Sequence, residues 1–155
     1  MGTLARASRL ARFDSKLNKY VMRVRTNMKV TPIPLIYAGE VQPYAKAVKA
    51  GNFIFVSGFA GLDPATGKMA EGAKEQTKVI MNKIKSALED AGSTFDKVLT
   101  VKIIAKSQEI LDLALDAIKE YMPDLESKAV TTYFSHNPSP SGGKVKVEVL
   151  AESIK

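Results

Sequence analysis

The sequence predicts an α+β domain, a single sheet with two helices packed on one face, preceded by a separate basic arm. Three observations lead there. Apolar residues recur at helical spacing in only two segments of the body. Short β-branched or alternating runs, bounded by Gly, Pro and Asn, make up the rest. Their order, ββ-α-β-α-ββ, sets helices against one face of a sheet. A chain of 155 residues suits one domain with at most an appended arm. It is long enough to bury roughly two-thirds of the surface its unfolded form exposes.

The arm comes first. Leu10, Phe13, Leu17, Val21, Val24 and Met28 share one face of a helical wheel over residues 4–28. Arg9, Arg12, Lys16, Lys19 and Arg23 gather on the other side. The segment TPIP, residues 31–34, stops this basic amphipathic helix because proline cannot continue it. The expected division is an extension over residues 1–34 and a domain over 35–155.

In the body, VQPYAKAV reads as a strand made edge-like by Pro43, and FIFVS as a continuous apolar strand behind the Ala50-Gly51-Asn52 turn. DPATGK is a tight turn, with Pro64 pre-setting φ and Gly67 supplying a permissive backbone. Ala73, Thr77, Ile80, Ile84, Ala87 and Ala91 line one face of a helix from about Gly72, closed by Gly92 as a left-handed cap. FDKVLTVKIIA enters a buried strand. Ser107 is the expected N-cap of a second helix facing inward through Ile110, Ala114, Ala117 and Tyr121, and Pro123 ends it. KAVTTYF reads as a third core strand, and KVKVEV, which alternates strictly, as a half-exposed last one.

Charge and composition remove several classes of function. The net charge of +7 would suit a nucleic-acid binder if it were spread over the fold. Residues 1–30 instead hold eight basic residues against Asp14 alone, and the remainder carries fifteen lysines, fifteen acids and no arginine. The body is neutral, and every arginine lies at or before Arg25. The absence of cysteine excludes disulfides, thiolate metal sites and cysteine catalysis. A single histidine, His136, leaves no His-rich metal site, so neither metal nor cofactor is expected. No apolar run approaches a membrane span. The arm, rich in Arg and nearly free of acids, is similar to a mitochondrial targeting segment, with an extra packed helix in a cytoplasmic protein as the alternative.

Two motifs near residue 60 invite a catalytic reading and fail. A phosphate-binding loop needs four residues between its glycines and a Ser or Thr after the lysine. Here five residues separate Gly61 from Gly67, and Met69 follows Lys68. Val56-Ser57-Gly58-Phe59 lacks the Gly-x-Ser-x-Gly elbow of a serine hydrolase, and His136 sits in a polar loop between Ser135 and Asn137.

The stretch PYAKAVKAGNFIFVSGFAGLDPATGKM, followed by EQTKVIMNKIKSALEDAGSTFDKVLTVKI, resembles the RidA (YjgF) family of enamine/imine deaminases over roughly residues 38–152. The resemblance implies a chorismate-mutase-like homotrimer whose sheets face one another, with three clefts at the subunit boundaries. In that family an arginine grips the substrate carboxylate while water attacks the imine carbon. By resemblance Tyr44, Ser57 and Gly58 line the cleft, with Lys128 at the arginine position and Val130 beside it. Three positions depart from the family: Lys128 for the arginine, Ala114 near an asparagine, and Leu150 for the second acid of Glu-x-Glu. Lysine attracts a carboxylate as a point charge but lacks the planar fork.

The expectation is a trimer that binds small carboxylate metabolites without the ordinary 2-imino acid deaminase activity. One alternative is a working deaminase, of the 2-iminobutanoate/2-iminopropanoate type, in which Lys128 takes the substrate carboxylate. Another is RNA binding or endoribonuclease-like cleavage, carried by the basic arm alone.

Overall fold

The computed structural model describes residues 28–37 and 39–154. The expected arm helix and its targeting role lie outside the described residues, apart from Met28. Eight regular elements follow in order: β1 (Val30–Tyr37), β2 (Glu40–Ala50), β3 (Phe53–Ala60), α1 (Ala73–Ala91), β4 (Val98–Ala105), α2 (Gln108–Lys119), β5 (Ala129–Phe134) and β6 (Val145–Glu152). The strands form one sheet in the order β1-β2-β3-β6-β4-β5, antiparallel except for the parallel pair β4–β5.

β1 is a strand that the two prolines concealed, and it begins inside the segment assigned to the extension. Thr31, Ile33, Leu35 and Tyr37 alternate inward while Val30, Pro32, Pro34 and Ile36 face out. Proline is tolerated here because β1 is an edge, with pairing that slips on either side of Pro34. KAVTTYF also needs correcting. β5 is the opposite edge, and all six of its residues are exposed. The strictly alternating β6 takes the central place instead, paired on both sides.

Both helices cover one face of the sheet. The inward side chains of β3, β6 and β4 (Ile54, Val56, Val147, Val149, Val101 and Ile103) meet Ile80, Met81, Ile84 and Leu88 of α1 and Leu111 and Ile118 of α2. Full burial of each large side chain contributes roughly 1.5–3 kcal/mol. α1 ends where expected, at Gly92 with φ 82°, a left-handed conformation costly for other residues. Ser107 caps α2 by accepting a hydrogen bond from the Ile110 amide at 3.3 Å. α2 packs slightly rotated from expectation, burying Leu111 and Ile118 with Ala114 and Ala117, while Ile110 and Tyr121 are half-buried.

Candidate functional site

A bulge in β3 organises the site. Val56 pairs with Val149 and Phe59 with Val147, so Ser57 and Gly58 together oppose the single residue Glu148. A bulge interrupts the hydrogen-bond ladder and re-aims the side chains around it. Regular pairing of β2 with β3 ends at Ala47–Val56, and there the Ser57 hydroxyl donates to the Ala45 carbonyl at 2.7 Å. Its proton is thus engaged by backbone, and His136 sits in the exposed loop beyond the far edge of the sheet, so the one histidine does not prepare Ser57 as a nucleophile.

The Lys146 side chain lies across Gly58. A methyl group at position 58 would overlap Lys146 Cε and lie 3.3 Å from Cδ and Cγ. Three residues on, a Cβ at Gly61 would come within 2.6 Å of Gln76 Cα, a backbone atom that cannot step aside. Gln76 is buried and ties two loops, donating to the Ala70 carbonyl at 2.9 Å and accepting from the Lys144 amide at 2.8 Å.

The Asp-Pro loop is a turn. Asp63 accepts from the Ala65 and Thr66 amides at 2.7 and 3.1 Å, and its own carbonyl accepts from Gly67 at 2.8 Å. A carboxylate already occupies the amides that a phosphate would need.

Tyr44 stands on β2 next to Ala45 and is 61% exposed. It borders a shallow groove of about 230 Å³ lined also by Pro32, Pro34, Val41, Gln42, Pro43 and Ala45. Tyr44, Ser57 and Gly58 therefore gather on the β2–β3 side of the molecule. Lys128 and Val130 do not join them within one chain. β3 and β5 are separated by β6 and β4, about 14 Å at the usual strand spacing. Val130 pairs in register with the buried Val101 and so lies on the helix-bearing face.

Lys128 follows a short 3-10 turn and is locally engaged. Its Nζ pairs with Asp124 at 2.9 Å and donates to the Asp96 carbonyl at 3.4 Å, leaving the side chain only 5% exposed. The hydrogen bond from Lys128, and next that from Ser127, holds the Asp124 carboxyl below its usual range. Of the other departures, Ala114 is enclosed in the core. Leu150 faces away from the helices between Phe55 and Thr100, and Glu148 is ion-paired with Lys102. That hydrogen bond and charge raise the Lys102 pKa.

Sequence reasoning missed the bulge, Lys146 and Gln76. Only a glycine inside a strand signalled the first, since such a residue marks a bulge or a close backbone approach. On the sheet face away from the helices, the apolar side chains of Val48, Phe53, Phe55, Leu150, Ile104 and Tyr133 point the same way across five strands, around the central Lys102–Glu148 ion pair. Phe53, Phe55 and Tyr133 are 46%, 51% and 52% exposed.

Comparison with known proteins decides the family. The sequence model of the family Endoribonuclease L-PSP, the RidA/YjgF proteins, matches residues 38–153. The chain belongs to that family. It is 35% identical over 112 residues to a RutC family protein of Pyrococcus abyssi, covering 72% of this chain and 87% of that one. It is 32% identical over 111 residues to the protein mmf2, mitochondrial, of Schizosaccharomyces pombe, covering 70% and 86%. Identity to the 2-iminobutanoate/2-iminopropanoate deaminase of Bos taurus is 28% over 112 residues, covering 72% and 80%. The fold matches that of the Rid-family protein YyfA of Yersinia pestis with a TM-score of 0.72 at 24% identity, over 80% of this chain and 99% of that one. Among the described residues no helix is long and apolar enough to cross a membrane. Nor does any group of three or more His, Cys, Asp or Glu form a metal site there.

Proposed function

We propose that this RidA-family protein is a homotrimer that binds small carboxylate or imino-acid metabolites in clefts between subunits. The observation that carries this reading is the Ser57–Gly58 bulge, beside a sheet face that carries the exposed Phe53, Phe55 and Tyr133 and that the chain's own helices leave bare. Exposed aromatic side chains clustered on one face favour association. A second copy seated there brings its β5 edge, with Lys128 and Val130, toward Tyr44, Ser57 and Gly58 of the first. The Ser57 oxygen, with its proton committed to Ala45, meets a ligand as an acceptor, which suits an imine or amine N–H. Lys128 lines the cleft with its charge already balanced by Asp124.

The ordinary deaminase reaction is weak or absent on this reading, because a neutralised lysine replaces the arginine fork. The alternative is a 2-iminobutanoate/2-iminopropanoate deaminase in which Lys128 leaves Asp124 for the substrate, favoured by the name of the bovine relative. Single-turnover ammonia release from a freshly generated 2-imino acid separates them. Release no faster than buffer supports the binding protein, and strong release that Lys128→Met abolishes supports the deaminase. The family name also invites an RNA reading, resting here on the basic arm; RNA retention that falls with salt and vanishes on deleting residues 1–30 would support it. The same arm, and the mitochondrial relative in Schizosaccharomyces pombe, favour a mitochondrial location.

A further inference from the structure

We infer that Lys146 supplies the positive charge that holds a ligand carboxylate against the Ser57–Gly58 bulge. The inference rests on the reading that this cleft takes small carboxylates. With no arginine after Arg25, any such charge in the body must come from a lysine. Two lysines stand on the uncovered face of the central strands, Lys102 on β4 and Lys146 on β6. Lys102 is neutralised by Glu148 directly across from it. Lys128, at the family's arginine position, is neutralised by Asp124. Lys146 makes no ion pair among the described residues, and the nearest acid along its own strand face, Glu148, is taken by Lys102.

Position favours it as well. Lys146 lies in register with Ala60 of β3 and Ile104 of β4. Its stem runs over Gly58, so closely that any side chain at position 58 would displace it. The missing Cβ of Gly58 is what lets a lysine lie across the bulge. The ammonium is thereby delivered to the part of the sheet where Ser57 breaks the regular ladder. On one side it borders Ile104 and, beyond that, Tyr133. A charge beside such apolar walls attracts an anion more strongly than it would in open water. An ammonium is a point charge without the fork of a guanidinium, so it fixes the carboxylate's place but not its plane. The ligand class that follows is short 2-oxo or 2-imino monocarboxylates, with little discrimination among their side chains.

The test is titration of the full-length protein with 2-oxobutanoate, followed by calorimetry and by NMR, with neutral 2-butanone as the uncharged probe. The parent should bind 2-oxobutanoate and not 2-butanone. Lys146→Met keeps the stem over Gly58 and removes the charge; its affinity should fall about tenfold or more, a difference of about 1.4 kcal/mol or above. Lys146→Arg should restore binding. Lys144→Met, which removes the same charge from an exposed position two residues away, should bind as the parent does. Gly58→Ala should weaken binding by pushing the lysine aside. Binding undiminished in Lys146→Met while the parent binds would overturn the role of Lys146 and leave the carboxylate cleft standing. Binding lost equally in Lys144→Met and Lys146→Met would reduce the effect to net charge and also overturn it. No binding by the parent would sink the carboxylate reading itself.

Discussion

At the scale of single residues, Gln76 is the side chain that joins the loops beside the bulge. Gln76 satisfies a carbonyl and an amide from two different loops while itself buried. Gln76→Leu keeps the bulk and strands both backbone groups, which should cost about 1–3 kcal/mol, read as a lower urea midpoint. An unchanged midpoint would mean that water replaces the amide there. The Lys128–Asp124 pair makes a pH prediction. Asp124 has its carboxyl pKa depressed in the folded protein, so its contribution is full above the ordinary value of 3.8 and is lost as pH falls through the folded value. Asp124→Asn should therefore be less stable than the parent at neutral pH, and the difference should close on acidification. A gap that stays constant from neutral to about pH 2 would show that Lys128 does not depend on that charge.

At the scale of elements, the helices were legible and the sheet edges were not. α1 was readable because its apolar positions repeat over five turns and Gly92 marks its end; every residue expected on its inner face is buried there. α2 was readable from its cap, and Ser107→Ala should cost about 1 kcal/mol in thermal or urea unfolding, with no loss if the Ile110 amide finds water instead. β1 was hidden because Pro32 and Pro34 look like a break, and only the edge of a sheet tolerates them. KAVTTYF misled because β-branched and aromatic residues suit a core strand and an exposed edge alike; which one they form depends on where β6 inserts, a long-range choice that no local pattern records. Part of the site suffered in the same way. The family motif pointed to Ser57 and Gly58, but that a lysine from the last strand crosses Gly58 depends on the register of β6 against β3.

At the scale of the whole molecule, one sheet face is covered by two helices and the other is not, and the proposed cleft needs the second face to be buried by another copy. The aromatic pair Phe53 and Phe55 lies near its centre, so Phe55→Glu, which places a charge where an apolar contact is proposed, should dissociate the assembly while leaving the helix-side core and the circular dichroism intact. The same variant should lose ligand binding if, as proposed, the cleft is completed by Lys128 and Val130 of a second copy. The central claim is that the cleft is composite, and the most direct measurement of it is the mass in solution by light scattering at micromolar concentration. The account predicts three times the 16.8 kDa chain mass, falling to the single-chain mass in Phe55→Glu. A parent protein that scatters as a stable monomer would contradict it.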